Sequence, residues 1–496
     1  MRKVYLVLAA SIFTTAAWAQ LFNNNGADIY VTDGGFMIVK TNSLANNLVG
    51  GSGVINNQGT IVVEGDISNN GNVVASGDTI RLNGNWINNG GYTGSNSWVD
   101  MYGANQDIAG TAVTTFNNLN LGGGATVKRQ QNIDAVTTGI LALNDAELAT
   151  DANEMLVSNT ATAAITRNSG FVSSLGAGKL SRATNTASAY LFPTGSPSYN
   201  NPPSIFRPID FTPATAGANT YGAMVVKGDA TSDGYDVTTV DDLLCAVNPN
   251  FYHKLYQSAG VDASALQMYY DAATDGDWSD QAHWDSPNQW NNLGTATAGN
   301  GLGFNTVSVA AVSDFTPEPF ALARRKFTVD AGPDVDLVQG QSTTFNPTIS
   351  TTDIASYAWT PSTALSCDDC EGPDASPNAT TQYTLLVTDN SGCAVSDSLI
   401  VRVTALELLI PTAFSPNGDG NNDRFRVLNR DVEKLTLQIF NRWGEKVYET
   451  TDPLSGWDGM YKGMIQPLGV YTWKCDYQLA GQTKSTLASG NLTLMR

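Results

Sequence analysis

The stretch Gly469-Val470-Tyr471-Thr472-Trp473-Lys474-Cys475-Asp476-Tyr477-Gln478-Leu479 decides how this chain is read. Tyr471, Trp473, Cys475, Tyr477 and Leu479 alternate with Thr472, Lys474, Asp476 and Gln478. That is the period of a strand with one apolar face and one wet face. Ala480-Gly481-Gln482-Thr483 supplies the turn back. Leu492 and Leu494 then mark a final strand, and a tail held in a sheet is tied down rather than frayed. These residues read as a small β-domain.

Around that strand lie Leu409-Ile410-Pro411-Thr412-Ala413-Phe414-Ser415-Pro416-Asn417-Gly418-Asp419-Gly420-Asn421-Asn422-Asp423, Ile439-Phe440-Asn441-Arg442-Trp443-Gly444, Gly456-Trp457-Asp458-Gly459 and Gly490-Asn491-Leu492-Thr493-Leu494-Met495-Arg496. In order and spacing these motifs resemble the C-terminal domain of gliding-motility-associated proteins, the type B sorting domain of the Bacteroidetes type IX secretion system. The resemblance covers about the last fifth of the chain, residues 405–496. It implies a β-sandwich that serves as an export address, the outer-membrane secretion machinery as partner, and a cell-surface or extracellular destination. Periodicity by itself gives only a small β-sandwich.

The opposite end agrees. Arg2 and Lys3 precede an apolar run from Val4 to Ala17, and Ala17-Trp18-Ala19 is a small-x-small cleavage site before Gln20. Residues 1–19 are expected to be a secretory signal peptide cut between Ala19 and Gln20. No later stretch reaches the roughly 18 apolar residues of a spanning helix, so no transmembrane segment is expected in the mature chain.

Across 496 residues there are 47 glycines, charged residues make up only 15%, and long amphipathic helical patterns are hard to find, which is an all-β profile with many turns. From Leu406 onward ten basic and ten acidic residues balance, so the formal charge of −20 resides upstream. Such a surface repels nucleic acid and favours cations.

Residues 20–185 are rich in Asn and Gly. Ile55-Asn56-Asn57-Gln58-Gly59, Ile67-Ser68-Asn69-Asn70-Gly71, Ile87-Asn88-Asn89-Gly90 and Phe116-Asn117-Asn118-Leu119-Asn120-Leu121 are imperfect echoes of one unit, spaced as rungs of a parallel β-helix with loops of varying length. Asn suits solenoid corners because it tolerates left-handed φ and its amide stacks from rung to rung. An ordinary sandwich with Asn-Gly hairpins is the competing reading. Longer aromatic strands such as Phe206-Arg207-Pro208-Ile209-Asp210-Phe211 suggest a β-sandwich over 186–325, with Arg324-Arg325-Lys326 marking a linker.

Within 326–404, Asp330-Ala331-Gly332-Pro333-Asp334, Tyr357-Ala358-Trp359-Thr360-Pro361, Thr381-Gln382-Tyr383-Thr384-Leu385-Leu386-Val387-Thr388-Asp389 and Gly392-Cys393 resemble a PKD-type immunoglobulin-like module. Trp359 is expected to pack across its core. Cys367-Asp368-Asp369-Cys370 is expected to be a disulfide staple, with Cys393 as the competing partner of either thiol. Cys475 falls on an apolar strand face and reads as a buried thiol. Cys245 has no assigned role.

Catalysis finds little support. His253 and His283 are the only histidines, and no GxSxG, HExxH or P-loop occurs. Asp271, Asp275, Asp277, Asp280 and Asp285, interleaved with Trp278, Trp284 and Trp290, are the best place for sugar binding, although Trp in a sandwich is more often core. Asn417, Asp419, Asn421 and Asp423 offer oxygens at every second residue and are the candidate Ca²⁺ ligands, at the weak extracellular end of the range because no bidentate Glu follows. A chain of Asx-turns explains the same residues without a metal. The reading is a secreted, cell-surface, multidomain β-protein without catalytic activity, an adhesin or motility-associated protein that contacts surface polysaccharide or another surface ligand. A polysaccharide-binding or polysaccharide-degrading enzyme with a β-helix is the second reading.

Overall fold

The computed structural model describes residues 21–40, 43–47, 53–285, 287–316, 318–404, 407–428, 432–479 and 484–496. The expected signal peptide, with Ala19 and Gln20, and the turn at 480–483 lie outside the described residues. Strand makes up 54% and helix 2%, so every layer is a sheet. Two compact units form, Met1–Arg325 and Lys326–Arg496.

The first unit begins as a three-sided parallel β-solenoid of about eight turns. One face stacks nine strands, starting with Leu21–Asn25, Ser43–Asn47, Asp66–Asn70 and Trp86–Asn88 and ending at Thr194–Gly195. A second face runs from Phe36–Val39 to Ile165–Arg167 in seven strands. On that face Ile61, Ile80, Val99, Leu119 and Leu141 lie in register, one per turn, and all are buried. Short runs such as Thr60-Ile61-Val62-Val63 suffice because each needs only two inward side chains, and the neighbouring turn covers them.

Asparagine has two separate roles here. Asn24, Asn46, Asn69 and Asn88 form a buried amide ladder on the first face. Each Nδ2 donates to the Oδ1 of the next turn, at 2.8, 3.0 and 2.9 Å. Nδ2 of Asn69 also donates to the Gly91 carbonyl (2.8 Å), and its Oδ1 accepts from the Gly71 N–H (3.2 Å). A side-chain amide has two donors and a two-lone-pair acceptor, so Asn69 is fully satisfied in a place without water. One residue further on, Asn25, Asn47, Asn70 and Asn89 repeat the stacking on the exposed side. Left-handed φ occurs at other asparagines, Asn96, Asn132 and Asn144.

The four echoes are therefore not equivalent. Asn69-Asn70-Gly71 and Asn88-Asn89-Gly90 occupy the same corner. Ile55–Asn57 instead pairs on the third face with Val73–Ala75, and Phe116–Asn118 spans the corner between the third and second faces. Similar letters recur because every corner needs a hydrogen-bonding turn residue.

On the third face Lys179–Thr184 pairs in parallel with Glu154–Val157 and, on its other edge, antiparallel with Asn219–Lys227. The solenoid sheet thus passes without a break into a ten-stranded sheet that includes Phe251–Ala259, Pro319–Arg325 and Asp280–Asp285. A second sheet, containing Ile209–Pro213, Ser264–Tyr270 and Phe304–Val312, packs over it, and one hydrophobic core runs from Val31 to Leu322. Arg324 and Arg325 are not linker residues. They end the strand Pro319–Arg325, where Arg325 forks onto the buried Asp280 at 2.9 and 3.0 Å, because a buried carboxylate needs a cationic donor. The second unit starts immediately after them.

That unit opens with an immunoglobulin-like module. Val335–Val338, Ala394–Thr404, Thr381–Asp389 and Ile354–Thr360 form its main sheet. Trp359 is buried against Phe345 at 4.9 Å, and Phe345 meets Tyr383 at 5.3 Å. A disulfide joins Cys367 to Cys370. The bridged turn lies against the core tryptophan: Nε1 of Trp359 donates to the Cys370 carbonyl (3.1 Å), and its backbone N–H donates to the Asp368 carbonyl (2.8 Å). Cys393 is buried where Thr381–Asp389 turns into Ala394–Thr404, outside this bridge.

Two outcomes are expected. Replacing Asn69 by Leu strands its buried partners and should cost about 2–3 kcal/mol in chemical denaturation, whereas Asn70→Leu, on the wet ladder, should cost less than about 1 kcal/mol. Non-reducing mass spectrometry should recover Cys367 and Cys370 as a cystine, and the paired change to serine should lower stability by about 2 kcal/mol, as a four-residue loop predicts.

Candidate functional site

The C-terminal domain is a five-stranded sheet in the order Ala413–Phe414, Thr486–Leu494, Gly469–Leu479, Val432–Phe440, Lys446–Thr450. Along Gly469–Leu479 the expected alternation holds: Tyr471, Cys475 and Leu479 are buried, while Thr472, Lys474 and Asp476 are exposed. Burial pushes the Cys475 thiol up to about 12, so it stays protonated.

Most motif residues have a packing role. Trp457 is fully buried between Phe414 (5.4 Å) and Tyr471 (4.8 Å), and its Nε1 donates to the Met460 carbonyl at 2.8 Å. Gly456 lets that segment approach the backbone around Phe425, since a Cβ there would sit 2.9 Å from the Phe425 carbonyl oxygen. Gly490 lies directly opposite Trp473, and an added Cβ would come 2.8 Å from Cζ2 of the indole. Asn441 closes a tight turn by accepting from the N–H groups of Trp443 and Glu445, both at 3.0 Å. At the tip of that turn Trp443 is the exception: its side chain is 83% exposed, with the Arg442 guanidinium 5.7 Å from the ring.

The loop Asn417–Asp423 is a run of Asx-turns. Asp423 accepts from the N–H groups of Gly418 (2.7 Å) and Gly420 (2.8 Å), Asn417 Oδ1 from that of Asp419 (3.0 Å), and Asp419 Oδ1 from that of Asn421 (2.7 Å). These backbone donors hold the Asp423 carboxyl below its ordinary range. Of the four proposed Ca²⁺ ligands, Asn417, Asp419 and Asp423 thus turn side-chain oxygens to the loop's own backbone.

The Asp- and Trp-rich region of the first unit is mostly core. Trp278 and Trp290 are buried, and Nε1 of Trp278 donates to the Asp275 carbonyl (2.8 Å). Asp275 holds Arg207 in a buried two-point ion pair at 2.6 and 2.9 Å. The aromatic faces here pack against protein rather than facing solvent.

The structure also brings the two histidines into one row of the large sheet. His253 and His283 are both paired with Phe320, one from each side, a proximity that strand periodicity could not reveal because the three strands are not consecutive. Nε2 of His253 donates to the Arg207 carbonyl (2.9 Å), and full burial pushes this imidazole down to about 4. Burial also lowers His283, against the opposing pull of the carboxylates of Asp314, Asp285 and Glu318.

Residues 408–494 match the CHU_C type IX secretion signal domain. The class of protein so defined is an exported one: this chain carries a type IX secretion signal and is addressed to that machinery for passage across the outer membrane. No curated protein matches the chain. Among solved structures it is similar to the D00-D0 domain of Intimin (10% identity, 34% of this chain and 100% of that one, TM-score 0.17). It is also similar to the N-terminal eight Ig domains of Down Syndrome Cell Adhesion Molecule (9% identity, 58% and 45%, TM-score 0.16). A third is dimeric latent PorU from Porphyromonas gingivalis (9% identity, 58% and 31%, TM-score 0.13). Among the described residues no helix is long and apolar enough to cross a membrane.

Gly490→Ala should push the Trp473 indole out of its seat and cost about 1–3 kcal/mol, read as a lower melting temperature together with changed tryptophan fluorescence.

Proposed function

We propose that this chain is a non-catalytic surface adhesin, of the kind that serves gliding motility. A secretory leader at residues 1–19 takes it to the periplasm, and residues 405–496 deliver it across the outer membrane. The solenoid, sandwich and immunoglobulin-like module then contact the ligand, with a surface polysaccharide as one class that suits a polar face. The observation that carries this reading is the type IX signal on a chain whose solenoid turns stack Asn, Thr and Asp side chains along their outer side. Such a repeating polar face can hydrogen-bond an extended ligand over several turns.

Within the signal domain, Trp443 is the residue proposed to meet the machinery. It is the most exposed of the motif aromatics, and an exposed indole beside an arginine is the usual composition of an interface anchor. A fluorescent reporter placed between a signal peptide and residues 405–496 should reach the surface of a competent host. Trp443→Ala should melt within a degree or two of the parent and leave the reporter in the periplasm. A parent fusion that stays periplasmic would overturn the export reading, and a normally exported Trp443→Ala fusion would overturn the contact. Cells lacking the full chain should adhere less to polysaccharide-coated surfaces, and unchanged adhesion would remove the adhesin role.

A further inference from the structure

The strand Asp280–Asp285 places His283 and Asp285 two residues apart, so both leave the same face of the sheet. Asp314 reaches them from the segment that follows the strand Phe304–Val312. A ring nitrogen of His283 and one carboxylate oxygen from each aspartate all lie within 4.8 Å of one another. Donors held about 2.0–2.2 Å from a shared ion stand roughly 3.4 Å apart. Closing the difference takes a movement of about 1 Å by two carboxylates at the surface, of which Asp314 also accepts from the Thr316 N–H at 3.0 Å.

A second observation points to the same place. His283 is 3% exposed, yet its Nε2 has no hydrogen-bond partner. Buried polar atoms are rarely left so. The ring is otherwise fixed: it stacks on Phe320 with centroids 4.1 Å apart and planes at 18°, and it hydrogen-bonds the Glu318 backbone. With that bond made by the other nitrogen, Nε2 is left with its lone pair available. An imidazole held by a backbone carbonyl on one nitrogen and free on the other is the usual arrangement of a metal-binding histidine. The donor set also selects the ion. Ca²⁺ and Mg²⁺ take oxygen ligands, whereas one imidazole and two carboxylates suit Zn²⁺.

We propose that His283, Asp285 and Asp314 form a zinc site that ties the segment after Phe304–Val312 to the central sheet, with water completing the coordination. Its ligands come from three sequence positions that share no motif, and it is independent of the export signal.

The test uses the full chain, expressed without a histidine tag, stripped with chelator and titrated with Zn²⁺. Calorimetry should find one site, and the melting temperature should rise with Zn²⁺ and fall again with chelator. The chain has two histidines, so long-range ¹H–¹⁵N spectra contain two imidazoles, and zinc should move the Nε2 resonance of one of them only. The double change Asp285→Asn, Asp314→Asn should weaken zinc more than about 100-fold while leaving the metal-free melting temperature in place. His283→Gln should abolish the spectral shift. The proposal is overturned by an absence of heat at millimolar Zn²⁺, by binding that survives the double change, by a shift assigned to His253, or by Ca²⁺ binding at the same carboxylates with both imidazoles unmoved.

Discussion

A stack of parallel turns has an unavoidable constraint: its last turn presents a row of unpaired N–H and C=O groups that any other strand can join. In this chain the strand Lys179–Thr184 resolves it by accepting Asn219–Lys227 on the open edge. Everything in the first unit follows from that junction. The solenoid's third face becomes the sandwich's main sheet, and the two share one core. Arg182, in the junction strand, is buried and sends its guanidinium to the carbonyls of Leu191, Ala161 and Thr162, closing off the end of the stack with hydrogen bonds. The reversal from parallel to antiparallel pairing is therefore built into the structure's interior and not left to a flexible join.

The sequence was legible where a local rule sufficed. The alternation of Gly469–Leu479 names a strand by itself, and Cys475 falls on its buried face as that alternation requires. Stacked amides were readable from recurring Asn pairs. Which asparagines stack was not, because Asn57 and Asn69 have nearly the same neighbours and lie on different faces. Corner position depends on the length of each whole turn, which drifts between 19 and 23 residues along the buried ladder. Arg324 and Arg325 resembled a linker because a basic run usually is solvated, and only partners distant in sequence explain them, the Asp277 carbonyl for Arg324 and the buried Asp280 for Arg325. The row His253, Phe320, His283 was out of reach for the same reason: its register is set between strands separated by long stretches of chain.

In the signal domain, the motif letters that make the resemblance recognisable are mainly packing devices. Gly456 and Gly490 remove a Cβ where backbone or indole must pass, Trp457 fills the core, and Asn441 shapes a turn. A fingerprint of this kind identifies the fold of the address more directly than the surface that is read. Trp443 stands apart because nothing in the domain holds its side chain in the interior.

The amide ladder has one further property. Neither Asn24, Asn46, Asn69 nor Asn88 gains or loses a proton at any pH a cell surface meets, and their bonds carry no net charge for salt to screen. An ion pair near the surface, such as Arg81 with Asp100, weakens as ionic strength rises, and ion pairs in general depend on pH through the charge of their carboxylates. The axis of the solenoid is therefore held by contacts indifferent to both, which suits a structure addressed to the outside of the cell, where neither acidity nor salt is regulated.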